Sequence, residues 1–183
     1  MSFAQGTGLE TKFQEFGTEA GLTGDSEIAG YASLFGIPDQ GGDIVAPGAY
    51  AAGLRRLAQA GRRVKMLWQH DPAQPIGIWD EVREDSRGLF VRGRILTGVQ
   101  RGAEALSLMR AGAIDGLSIG YRTIRAERTA EGRRLTEIDL WEVSLVTFPM
   151  LPEARAVTAS RKDDAELLTA LAQAFARARA DLA

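Results

Sequence analysis

Residues 88–96 alternate strictly. Leu89, Val91, Gly93 and Ile95 fall on one side of an extended backbone, and Phe90, Arg92 and Arg94 fall on the other. A strand written this way has one dry face and one wet face. That suits an antiparallel sheet closed over a single core and does not suit the buried parallel sheet of a doubly wound fold, whose strands are apolar on both faces. Other short stretches share the character. Residues 9–16 alternate weakly, and 27–35 are rich in β-compatible side chains. In 64–70, Val64, Met66, Trp68 and His70 share a face, with Pro72 and Pro75 ending the run. Residues 76–84 form a hairpin with 88–96 around Asp85-Ser86-Arg87. Residues 115–125 and 134–147 are two further strands, joined by a polar turn at 128–132.

Helices fall between these strands. Pro47 opens one in which Tyr50, Leu54 and Leu57 share a face and Gly61 closes the end. Thr97 with Gln100 reads as a capping pair for a second, with Val99, Ala103, Leu106 and Met109 as its buried stripe. After a linker at 152–162, a third starts near Asp163 and carries Leu168, Leu171, Phe175, Ala178 and Leu182 as a narrow seam. Such a seam either folds back on its own domain or docks on a partner. Residues 36–48, with glycines, prolines and aspartates, read as a long loop, either a plain connection or one beside substrate. About seven strands and three helices make a mainly β chain with helices (α+β), arranged as a mostly antiparallel barrel or sandwich.

Composition removes several functions. The 183 residues suffice for one domain with a core. There is no cysteine, so thiol nucleophiles, disulfides and zinc–sulfur sites are excluded. The single histidine rules out a multi-histidine metal centre, and the aspartates do not match a calcium loop, so neither metal nor cofactor is expected. A net charge of -2 offers no field for nucleic acid or anionic membrane. No apolar run marks a membrane span or signal peptide, which points to a soluble, cytosol-type protein.

One stretch carries chemistry. Gly116-Leu117-Ser118-Ile119-Gly120 sets a serine between glycines, with Leu117, Ile119 and Tyr121 pointing one way and Ser118 and Gly120 the other. A serine hydroxyl needs a base to become a nucleophile, and imidazole, with a pKa of about 6.5, suits the task. His70 is the one candidate. It precedes Ser118, whereas histidine follows serine in the nucleophile elbow of α/β-hydrolases, and here the serine continues into a strand where an elbow opens into a helix. The same order argues against a small-molecule esterase. The base needs a third group, and Glu142 stands inside the apolar run Leu140-Trp141-Glu142-Val143-Ser144-Leu145-Val146. A carboxylate there must be paired, either with His70 or, as a rim glutamate, with an arginine. Asp71 and Asp115 are rivals at strand ends.

Together these residues carry a resemblance. The runs VKMLWQHDPAQPIGIW, RGLFVRGRI, RAGAIDGLSIGYRT and LTEIDLWEVSLVTFP, with GYASLFG and GDIVAPGAY, resemble the tailed-phage prohead protease family over roughly residues 10–157. That family is similar to the herpesvirus assemblins, which implies a seven-stranded, mostly antiparallel barrel wrapped by helices. By this resemblance Ser118 is the nucleophile, His70 the base, and Glu142 stands where assemblins carry a second histidine. Assemblins build part of the oxyanion hole just beyond this strand. Here Pro149 lacks an N–H, so the backbone of Met150 or Leu151 would donate.

The resemblance implies a serine endopeptidase, taken as residues 1–157, and the seam marks residues 158–183 as an amphipathic helical tail. It would cleave a scaffold protein, or the scaffold segment of the major capsid protein, and itself. It would act inside the immature capsid in the bacterial cytoplasm and leave as fragments. Self-association is implied by the dimeric assemblins, and the tail would target the protease to capsid or scaffold and be trimmed. The competing reading is a non-catalytic capsid-assembly module on the same fold, motivated by the C-terminal seam.

Overall fold

The computed structural model describes residues 26–39, 41–130 and 132–148, and the backbone of residues 10–15. The elements in chain order are β1 (Glu10–Glu15), β2 (Glu27–Leu34), β3 (Asp43–Val45), α1 (Ala51–Gln59), β4 (Lys65–Trp68), β5 (Asp71–Glu84), β6 (Gly88–Ile95), α2 (Gln100–Arg110), β7 (Gly116–Thr129) and β8 (Gly132–Val146). The linker at 152–162, the helix expected from Asp163 and the tail of 158–183 lie outside the described residues. No described helix is long and apolar enough to cross a membrane.

All the strands join one sheet. Its path runs β1-β7-β8-β4-β5-β6-β2, and β3 adds to β8 off that path. Neighbours are antiparallel except β4 with β8 and β3 with β8, which are parallel. The two ends, β1 and β2, approach each other, so the sheet curls into a half-barrel. The seven strands on this path correspond to the seven expected from the sequence; their order is set by the fold. β3 is an addition, inside the stretch that reads as loop. Three residues among glycines and prolines give no periodicity to read. Tertiary contacts hold the strand: it pairs with Arg133–Leu135, and the Arg133 guanidinium donates to both carboxylate oxygens of Asp43 at 2.9 and 2.7 Å.

The inner face of the sheet is the core. Ile28, Met66, Ile76, Leu89, Val91, Leu117, Ile119, Val143 and Leu145 are buried there, each contributing about 1.5–3 kcal/mol on leaving water. Leu54 and Leu57 of α1 pack on this core, and Tyr50, at the helix N-cap, is fully buried. The start of α1 is clamped from another strand: Glu84 accepts from the N–H of Gly48 and, at 3.0 Å, from that of Tyr50.

Three local expectations are corrected. The N-cap of α2 is Val99, with no side-chain cap, so Thr97 and Gln100 form no capping box. Thr97 lies in a turn closed by the Val99 N–H on Leu96 O, and Gln100, the first helical residue, donates to Glu104. The buried stripe of α2 is accordingly Gly102, Ala105, Leu106 and Met109, and Val99 is exposed. Pro72 and Pro75 do not stop a strand. They lie inside β5, where the register with β4 slips at Leu67 and Trp68 and a residue without an N–H is tolerated. The polar turn expected at 128–132 is shorter, since β7 runs on to Thr129, which pairs with Gly132.

Candidate active site

Strand β8 lies between β7 and β4, and the register across the three sets the site. Ser118 of β7 pairs with Ser144 of β8, and Ser144 pairs with Leu67 of β4. Two residues along, Gly120 pairs with Glu142. Ser118, Gly120, Glu142 and Ser144 therefore share a face, while Leu117, Ile119 and Val143 enter the core. A bulge adjusts the strand just beyond. Gly120 pairs with Glu142 but Tyr121 pairs with Leu140, which leaves Trp141 unpaired and 45% exposed. The extra residue lets Leu140 and Val143 both face the core while Glu142 stays on the face of Ser118.

His70 reaches that face from a different element than its alternation suggests. It is not the last residue of a strand. β4 ends at Trp68, β5 starts at Asp71, and Trp68 pairs with Asp71, so Gln69 and His70 form a two-residue hairpin turn. Both have positive φ, 52° and 61°, as a type I′ turn requires. Neither is glycine or asparagine, so each costs roughly 1–3 kcal/mol of backbone strain. Surrounding bonds hold the turn in place. Gln69 N–H donates to Leu145 O at 2.9 Å, Gln69 Nε2 donates to Thr147 Oγ1, and His70 N–H donates to Ser144 Oγ at 3.1 Å. On the flank, Arg101 of α2 lies over the Trp68 ring and donates to Gln74, which donates to Asp71.

The side chains then meet. His70 Nε2 lies 2.7 Å from Ser118 Oγ, and His70 Nδ1 lies 2.6 Å from Glu142 Oε1. The other carboxylate oxygen, Oε2, accepts from Ser144 Oγ at 2.6 Å. Ser118, Ser144 and Glu142 are buried, and the His70 side chain is 14% exposed. A carboxylate only accepts, so Nδ1 carries the ring proton and Nε2 presents its lone pair to the serine O–H. The arrangement can take a proton from Ser118 and hold the resulting imidazolium against a negative charge.

Of the sequence candidates, the structure brings Ser118, His70 and Glu142 within hydrogen-bonding distance. Among the described residues Glu142 bonds His70 and Ser144, not an arginine. Asp71 is a turn residue. Its carboxylate accepts from the Ala73 N–H and from Gln74, and these bonds hold its pKa below the usual carboxylate value. Asp115 precedes β7. Met150 and Leu151 lie outside the described residues. Ser144 had no assigned part in the sequence reading, because a strand hydroxyl shows its partners only once the register is known.

Comparison with known proteins points to a family of serine proteases. Residues 12–167 match the family described as caudovirus prohead serine protease. The chain is 34% identical over 158 residues to the prohead protease of Enterobacteria phage HK97, covering 82% of this chain and 69% of that one. It is 30% identical over 152 residues to the capsid polyprotein of Pseudomonas phage PAJU2, covering 79% of this chain and 21% of the polyprotein, about a fifth of its length. Among solved structures, the capsid assembly protease of bacteriophage T4 superposes with a TM-score of 0.64 at 15% identity, covering 77% of this chain and 98% of that one. At that identity the likeness speaks for the fold alone.

Proposed function

This chain belongs to the caudovirus prohead serine protease family and is a capsid-maturation protease, and we propose that it cuts peptide bonds with Ser118 as nucleophile, His70 as base and Glu142 behind the base. The observation that carries this reading is the continuous relay from Ser118 Oγ through the imidazole to the Glu142 carboxylate, at 2.7 and 2.6 Å. As Oγ attacks the scissile carbonyl carbon, its proton passes to Nε2, and Glu142 steadies the imidazolium. The same proton is then given to the leaving amine, which leaves an acyl ester on Ser118. A water attacks that ester, delivers its proton through Nε2, and the hydroxyl is restored.

The backbone N–H groups of Met150 and Leu151 are assigned to the developing oxyanion. Val146, the last residue of β8, pairs with Gly116, two residues from Ser118, so the chain leaves the sheet beside the nucleophile. The substrates in this reading are a scaffold protein, or the scaffold segment of the major capsid protein, and the enzyme itself. The likeness to a segment of a capsid polyprotein supports a capsid protein as substrate. The place of action is the immature capsid, in the bacterial cytoplasm. The chain is read as a protease domain of residues 1–157 and a tail of 158–183 that targets it to capsid or scaffold. A non-catalytic assembly module has no use for a buried carboxylate bonded to a histidine at a strained turn.

The test is co-expression with the capsid and scaffold proteins, read by mass spectrometry. Ser118→Ala abolishes their cleavage and that of the chain itself. Unchanged fragments with Ser118→Ala overturn the reading.

A further inference from the structure

We propose that Ser144 is a positioning residue of this protease, one that sets the base both through Glu142 and through the backbone of the His70 turn. The inference rests on the reading of His70 as base. Ser144 is fully buried. Its hydroxyl donates to Glu142 Oε2 at 2.6 Å and accepts from the His70 N–H at 3.1 Å. A hydroxyl has one proton, and the carboxylate takes it, so the direction of both bonds is fixed. A buried serine that merely satisfied itself would bond a neighbouring main-chain carbonyl. Both partners of this one belong to the site.

The consequence is a closed ring of contacts. From Ser144 Oγ the path runs to Glu142 Oε2, through the carboxylate to Oε1, across to His70 Nδ1, and back along His70 to its own N–H and Ser144. Glu142 is gripped at both oxygens and cannot rotate its carboxylate away from the imidazole. The strained turn, with φ of 61° at His70, is pinned at the residue that has to point its ring at Ser118. Removing the hydroxyl takes a bond from the His70 N–H and another from a buried carboxylate oxygen, and both the ring and the carboxylate gain freedom.

The test compares Ser144→Ala and Ser144→Cys with the full-length wild type, on a peptide taken from a mapped cleavage site. Ser144→Ala lowers kcat on the order of 10- to 100-fold, the scale of a misplacement near 1 Å, with KM little changed. Ser144→Cys keeps the volume but weakens the hydrogen bonds, and it falls between, which keeps the test decisive where the alanine variant fails to fold. In a Glu142→Gln background the Ser144→Ala effect shrinks to the part carried by the His70 N–H bond, because the part that passes through the carboxylate is already lost. The Nδ1–H proton resonance of the chain's only histidine moves in Ser144→Ala. Unchanged kcat in both variants, or equal effects of Ser144→Ala in both backgrounds, overturns the proposal. Absence of any Ser118-dependent cleavage by the wild type instead overturns the protease reading on which it stands.

Discussion

Gly120 faces Glu142 across the β7–β8 pair with no room to spare: a Cβ on Gly120 would lie 2.0 Å from Glu142 Oε1 and 2.7 Å from its Cδ. The space that glycine leaves is therefore the slot in which the carboxylate lies flat against β7 and reaches His70. The second glycine of Gly116-Leu117-Ser118-Ile119-Gly120 serves the acid as well as access to the serine.

Gly120→Ala follows from this. The side chain displaces the carboxylate from Nδ1, and kcat/KM for a peptide substrate falls about 100-fold or more, as expected for a misplaced group in the relay. Thermal unfolding shows a loss of stability as well. In a Glu142→Ala background the slot is empty, so adding Gly120→Ala costs little further stability. Unaltered activity of Gly120→Ala would show that Glu142 does not need this position.

Glu142→Gln keeps the shape of the acid but removes its charge and lets the amide present a donor to the ring. The imidazole then loses its preferred tautomer, and kcat falls by about three to four orders of magnitude. Labelling of Ser118 by an active-site phosphonate slows in step. Labelling at the wild-type rate would remove Glu142 from the mechanism.

Glu84→Ala tests the fold away from the chemistry. Its carboxylate accepts the N–H groups of Gly48 and Tyr50 at the start of α1, where helix donors lack partners. The loss is about 1–2 kcal/mol in chemical denaturation, with kcat unchanged. No change in unfolding midpoint would show that the clamp contributes nothing.

The Asp85 turn predicts a pH dependence of stability. Burial alone would push its carboxyl up, but bonds from the Arg87 N–H, Tyr31 Oη, Arg83 and the Gly88 N–H outweigh that and hold it at about 2. A depressed folded value means the contribution is fully present above the unfolded value of about 3.9 and is lost as pH falls towards 2. The stability gap between wild type and Asp85→Asn is therefore widest above about pH 4 and closes near pH 2. A gap independent of pH in acid titrations of unfolding would contradict this.

What the sequence discloses of this molecule is what depends on residue type. One histidine, one serine between glycines and one carboxylate in an apolar run are legible because each is chemically singular where it stands. Alternation in 88–96 is legible because one face is buried and the other is wetter; in 116–121 both faces are buried, and what shows is large residues alternating with small ones. The turn at Gln69 and His70 is not, since it holds no glycine or asparagine and is imposed by bonds to Leu145, Ser144 and Thr147 on β8. Ser144 and the Gly120 slot depend on register, which three strands decide jointly. The bulge at Trp141 inserts one residue that no pattern of period two can announce. The capping pair at Thr97 and Gln100 had the right letters, but Thr97 lies in a turn before the helix and Gln100 bonds Glu104.

The place of β8 between β7 and β4 also bears on when Ser118, His70 and Glu142 can come together. It is the last described strand to emerge during translation, yet it separates and aligns the two strands that deliver Ser118 and His70. A nascent chain stopped at β7 holds Ser118 and His70 without the strand that lies between theirs and without Glu142. On the proposed mechanism, peptide cleavage becomes possible only once this strand is in place.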